Sequence, residues 1–210
     1  MKIYLDYDGT IIEYNKYLFQ DLENEINEKV QMSNLFKLKN EIANVYNNEK
    51  FEKLGYYKNA IFFNGAKEFI EKNIENGISI EFITSSMSSE QKKYKTEHIK
   101  LHFPFLENKI IYARKKYEHS KDGVFIDDNL KKVYEHIINN NEIGILANFQ
   151  NRNLLEEKEE THEKIIELLK DNPNFYIVNN FSDVDKIIEL ILLKEKENIN
   201  RIEKYNKMEF

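Results

Sequence analysis

The 210-residue chain has no cysteine, only two prolines and six glycines. Without cysteine there is no disulfide framework and no thiolate chemistry, which fits a reducing compartment. No apolar run approaches membrane-span length. The first residues lack the apolar core of a secretory signal, since Asp6 and Asp8 stand where one would have to lie. A cytoplasmic location and no membrane partner are the expectation. The net charge of −6 argues against a coat for nucleic-acid polymers, although a small basic pocket remains compatible with phosphate. No Gly/Ser-rich linker and no internal repeat divides the chain, so one domain, or one domain with an insertion, is expected. Hydrophobic residues make up 41% and aromatics 13%, enough for a sizeable core.

What is present is organised around Lys2–Thr10, KIYLDYDGT. The apolar residues Ile3, Tyr4 and Leu5 read as a short strand that Gly9 ends. Residues two apart on an extended segment point the same way, so Asp6 and Asp8 are expected side by side at its carboxyl end. Two such acids repel each other unless a cation or a shared proton offsets the charge. An ordinary Asp-Gly turn is the plainer reading of the stretch taken alone.

After Thr10 the spacing becomes helical. Leu18, Leu22, Ile26 and Val30 form one stripe, and Leu35, Leu38, Ile42 and Val45 a second. An aromatic segment, Phe51–Phe63, follows, and no strand signal appears before residue 78. A parallel crossover needs only about a dozen residues, so residues 14–62 are surplus and read as a small helical insertion. The core then resumes with a helix after Gly65. Strands are predicted at 78–83, 109–112, 124–126, 143–146 and 175–178, and helices at about 88–102, from 130, at 161–170 and at 184–193. Alternating strands and helices predict an α/β fold with a doubly wound, mostly parallel sheet. The expected division is a core of residues 1–13 and 63–196, a cap of residues 14–62, and a charged helix end or tail at 197–210.

In such a sheet the strand ends share one edge, where ligands bind. That edge would collect Asp6 and Asp8, then Thr84 and Ser85, then Asp127 and Asp128, with the basic cluster Arg114, Lys115 and Lys116 between the third and fourth strands. Hard oxygen ligands suit Mg²⁺ bridged to phosphate. The set does not suit zinc, which takes His or Cys. Hydroxyl and ammonium groups suit phosphate oxygens. His98 and His102 are four apart on a helix, but no HExxH arrangement accompanies them, and surface histidines are the plainer reading.

The motif set DYDGT, a strand ending in Thr84-Ser85, a later lysine, and a strand ending in Asp127-Asp128 resembles the haloacid dehalogenase-like (HAD) phosphohydrolase superfamily. The surplus segment resembles a C1-type cap. Phe63-Asn64-Gly65-Ala66, ISIEFITSS and VFIDDN resemble the 5'(3')-deoxyribonucleotidase branch. The resemblance implies that Asp6 is the nucleophile and Asp8 the general acid and base. It implies Mg²⁺ held by the Asp6 carboxylate, the Asp8 backbone carbonyl and the Asp127/Asp128 pair. Gly9, Thr10, Thr84 and Ser85 would serve phosphate, with Lys116 or its neighbour Lys115 as the phosphate lysine. Tyr14 would stack on a base, and Tyr56 and Tyr57 read as packing inside the cap. The expected activity is a phosphatase acting on nucleoside monophosphates, by a monomer or homodimer. Another small phosphate ester, such as a sugar phosphate, is the second reading, and a non-catalytic binding module the third.

Overall fold

The computed structural model describes residues 1–13, 23–24, 26–29, 57, 60–86, 89–149 and 160–206, with side chains left aside at 90, 160–161 and 198–206. Tyr14, Tyr56 and nearly all of the expected cap lie outside the described residues.

Six short strands form the sheet: β1 (Lys2–Leu5), β2 (Ser79–Thr84), β3 (Ile110–Tyr112), β4 (Val124–Asp127), β5 (Gly144–Ala147) and β6 (Phe175–Val178). All pairings are parallel, in the order β3-β2-β1-β4-β5-β6. Among the described residues, five α-helices accompany them: α1 (Ala66–Glu75), α2 (Ser89–His102), α3 (Leu130–Asn140), α4 (Glu160–Leu169) and α5 (Phe181–Asn206). The doubly wound parallel α/β architecture expected from the sequence is the one observed.

Each strand is apolar on both sides because helices cover both faces. On one face Ile3, Leu5, Ile80, Phe82, Val124 and Ile126 pack with Phe69 and Ile70 of α1, Ile99 of α2 and Phe181, Val184 and Ile188 of α5. On the other, Leu146 packs with Leu130, Val133 and Ile137 of α3 and Ile165 and Leu169 of α4. Gly144 permits that close approach, because a Cβ there would lie 2.8 Å from both Val133 Cγ1 and Ile137 Cγ1.

The winding reverses at β1, which pairs with β2 on one side and β4 on the other. Crevices at such reversal points, outside the carboxyl ends of the strands, are where open α/β sheets bind ligands. The register brings Leu5 level with Phe82 and with Ile126, so Asp6, the Thr84 region and Asp127 emerge close together. Asp6 N–H extends the ladder by donating to Ile126 O at 2.9 Å.

Helix α5 starts three residues before the apolar stripe at 184–193 and continues thirteen beyond it.

Candidate active site

The turn after β1 departs from the extended geometry expected of it. The strand ends at Leu5, and Tyr7 O accepts hydrogen bonds from Ile11 N at 2.9 Å and Ile12 N at 3.2 Å. The chain therefore curls back directly after Asp6. Gly9 has φ +77°, and a Cβ there would lie 2.4 Å from Asp128 Oδ2. Glycine is required on both counts, since any side chain would strain the backbone and collide with the second acid after β4. The Asp-Gly dipeptide is a turn, as its plainer reading held, and it is also the seat of the Asp128 carboxylate.

Each of the two acids meets its own lysine. Lys116 Nζ lies 2.8 Å from Asp6 Oδ1 and 2.7 Å from Asp127 Oδ2. Lys95 Nζ lies 2.6 Å from Asp8 Oδ2. Two buried ammonium groups thus stand against the repulsion between Asp6 and Asp8.

Lys116 reaches the site from a one-turn 3₁₀ helix, Lys116–Glu118, between β3 and β4. Its side chain is 5% exposed. Burial, the largest single influence, works against its charged form, but Asp127 and Asp6 together outweigh it and hold the ammonium above the usual lysine range. Lys115, the alternative left open by the sequence, points outward and pairs with Glu118 at 3.3 Å. The structure brings Lys116 to the carboxylates and places Lys115 on the surface.

Asp127 is fully buried at the end of β4. Its Oδ1 accepts from Asn129 N at 2.8 Å, and Asn129 in turn caps α3 by accepting from Lys131 N and Lys132 N. Burial pushes the Asp127 carboxyl above the usual range, with Lys116 opposing and Asp6 adding to the rise. Asp8 is likewise raised by burial first; Lys95 lowers it and the Asp6 charge raises it.

One oxygen from each of Asp6, Asp127 and Asp128 lies within 4.8 Å of the others. Lys116 approaches Asp6 Oδ1 as an ion pair without hydrogen-bond geometry, so this buried oxygen has no hydrogen-bond partner among the described residues. An all-oxygen donor set of three carboxylates, Asp6, Asp127 and Asp128, fits a divalent hard cation such as Mg²⁺.

On the β2 side, Thr84 is buried and its Oγ1 accepts from Lys95 Nζ at 2.9 Å, while Ser85 O accepts from the same nitrogen at 2.5 Å. Thr10 Oγ1 and Asp8 Oδ1 are buried without a hydrogen-bond partner among the described residues. Unsatisfied buried polar atoms at a strand-end crevice are the mark of a ligand site.

Three residues take places that the sequence reading did not assign. Lys95 was read only as part of a polar helix. Gln91, Lys95, His98 and Ile99 are the buried stripe of α2, at spacings of three and four, and that periodicity of polar residues is the signal that could have found it. His98 is buried, not on the surface: its Nδ1 meets Tyr7 Oη at 2.5 Å. Burial first, then His102 and Lys67, lower its pKa to about 4, so it stays neutral. Tyr57, read as cap packing, is buried and also donates from Oη to Asp8 Oδ2 at 3.2 Å.

No protein-family model matches the chain, and no curated protein matches it. Solved structures do. A conserved haloacid dehalogenase-like protein of unknown function from Agrobacterium tumefaciens superposes with a TM-score of 0.62 at 12% identity, covering 91% of this chain and 98% of that one. A predicted phosphatase from Clostridium acetobutylicum gives 0.56 at 16% identity, covering 90% and 98%. YfnB from Bacillus subtilis, assigned as a HAD-hydrolase and bound to magnesium, gives 0.55 at 13% identity, again covering 90% and 98%. The likeness runs the length of the fold: this chain has the α/β fold of the HAD-like hydrolases.

Proposed function

We propose that the protein is a Mg²⁺-dependent phosphomonoester hydrolase working through an aspartyl-phosphate on Asp6, with nucleoside monophosphates as its first substrate class. The observation that carries the proposal is the convergence of Asp6, Asp8, Thr84, Lys116 and the Asp127/Asp128 pair on one sheet edge, where Asp8 Oδ1 and Thr10 Oγ1 are buried without a hydrogen-bond partner among the described residues. A fold alone would need none of these groups there. The HAD-like hydrolase neighbours support the same reading.

The Asp6 carboxylate, held by Lys116, attacks phosphorus, and the bond from phosphorus to the ester oxygen breaks. Asp8 enters the step in its protonated form, which burial favours, and gives that proton to the oxygen as the alcohol leaves. Asp8, now a carboxylate, takes a proton from water as the water attacks phosphorus, the Asp6–phosphorus bond breaks, and inorganic phosphate departs. Proton transfer of this kind contributes about 10²–10⁴-fold. Asp6, Asp127 and Asp128 would hold the cation together with the Asp8 backbone carbonyl, and Thr84 and Thr10 would donate to phosphate oxygens. Bound there, Mg²⁺ supplies charge neutralisation for the phosphate and carboxylates together.

The test is phosphate release across a panel of nucleoside monophosphates and sugar phosphates, with Mg²⁺ and with EDTA. Release from nucleotides that requires Mg²⁺ supports the proposal. Release from sugar phosphates alone moves the substrate class, and no release from any ester removes the proposed activity.

A further inference from the structure

We infer that Lys95 is a positioning residue of the phosphoryl-transfer site, one that sets Thr84 as a hydrogen-bond donor and leaves Oδ1 of Asp8 as the oxygen for proton transfer. The inference rests on the phosphohydrolase reading and adds to it a lysine distinct from Lys116.

An ammonium has three N–H donors and no acceptor. Lys95 donates to Thr84 Oγ1 and Ser85 O, and its ammonium forms an ion pair with Asp8 Oδ2 at 2.6 Å. Its side chain is 0% exposed. Buried among these three oxygens, the ammonium acts through its partners.

The first partner is Thr84. Its Oγ1 spends a lone pair on Lys95, and its own O–H proton is not used in that bond. A hydroxyl can donate or accept; beside a group that can only donate, this one is left to donate into the crevice.

The second partner is Asp8. Its Oδ2 is taken twice, by Lys95 and by Tyr57 Oη. Its Oδ1 is buried and has no hydrogen-bond partner among the described residues. A carboxyl with one oxygen doubly held and the other open presents a single oxygen to a leaving group. Lys95 therefore couples the residue that grips phosphate to the residue that protonates the alcohol, and does so from α2, outside the strand-end motifs.

The test compares the full-length wild type with Lys95→Met and Lys95→Gln in Mg²⁺, on p-nitrophenyl phosphate and on an alkyl phosphate monoester. A nitrophenolate leaves with little help from an acid, whereas an alkoxide depends on it. Misplacing Asp8 should cut kcat/KM, which reports only the steps through departure of the leaving group, by about 10²–10³-fold on the alkyl ester and by about tenfold or less on p-nitrophenyl phosphate. A purely structural lysine would lower both alike, so equal losses in a variant that still melts cooperatively overturn the inference, as does unchanged turnover. Lys95→Gln keeps two donors and serves if Lys95→Met does not fold; if neither variant melts cooperatively, the role is structural and the inference falls. A wild type that releases no phosphate from either ester removes the phosphohydrolase reading, and the role of Lys95 with it. An active wild type with equally active variants removes Lys95 alone.

Discussion

The two halves of the site solve the same electrostatic problem differently. On the β4 side, three carboxyl groups, Asp6, Asp127 and Asp128, come together, and Lys116 pairs with two of them. On the β2 side, one carboxyl group, Asp8, meets one ammonium, that of Lys95, which is also held by Thr84 and Ser85. The first half is the more acidic and suits an added cation. The second pairs one acid with one buried base, which holds Asp8 Oδ2 and leaves its Oδ1 open. Buried charge is tolerated only when paired and hydrogen-bonded, and the contrast shows two ways of meeting that demand within one crevice.

The largest effect that would break this division is at the proposed nucleophile. Asp6→Asn is nearly isosteric but a poor nucleophile, and it should remove phosphate release by several orders of magnitude while the melting curve stays cooperative. Turnover within about tenfold of wild type would strip Asp6 of its role.

Next comes Lys116→Met, which leaves Asp6 and Asp127 buried without their ammonium. Breaking a buried ion pair from one side costs about 3–5 kcal/mol, so urea denaturation without Mg²⁺ should show a loss of that order. An unchanged midpoint would mean the more acidic half is not held together by Lys116.

The same half of the site shows how far the sequence reaches. Asp6 and Asp127 were legible because each follows directly on an apolar strand, and the resemblance supplied the order of motifs. The choice between Lys115 and Lys116 was not legible, because adjacent residues on an irregular loop differ only in direction, and direction was set by the 3₁₀ turn Lys116–Glu118. The β2 half was half legible. Thr84 ends an apolar strand, but Lys95 lies on a helix whose buried stripe is polar, so a search for apolar periodicity passes over it. His98 is buried on that same polar stripe, and the curl after Asp6 was hidden because the strand stops one residue earlier than an extended reading allows.

A smaller effect sharpens the difference between the halves. Mg²⁺ should raise the melting temperature, since a ligand at 100 times its dissociation constant stabilises by about 2.7 kcal/mol. Asp127→Ala should weaken that response, whereas Lys95→Met should leave most of it in place. A melting temperature indifferent to millimolar Mg²⁺ would contradict the cation site.

The effect most remote from the crevice is that of His136. It is fully buried with Nδ1 at 2.8 Å from Ser120 Oγ, and burial lowers its pKa to about 4, against partial opposition from nearby backbone groups. Below the ordinary pKa of 6.5 the unfolded chain binds a proton that the folded chain refuses, so stability falls as pH drops from about 6.5 toward 4. For one group the loss is at most on the order of 3 kcal/mol. A His136→Gln variant should show a flatter dependence of melting temperature on pH across that window, and an unchanged slope would place the acid sensitivity elsewhere, with buried His98 the next group to change.

The central claim, that Asp6 carries the phosphoryl group, is tested most directly by trapping it. The Asp8→Asn variant lacks the base that activates water, while p-nitrophenyl phosphate still offers a leaving group that needs little acid. Acid quench during turnover, followed by mass spectrometry of the N-terminal peptide, should show one added phosphoryl group assigned to Asp6. A peptide without the phosphoryl group, from a variant that nonetheless releases nitrophenolate while the wild type turns over, would contradict the account.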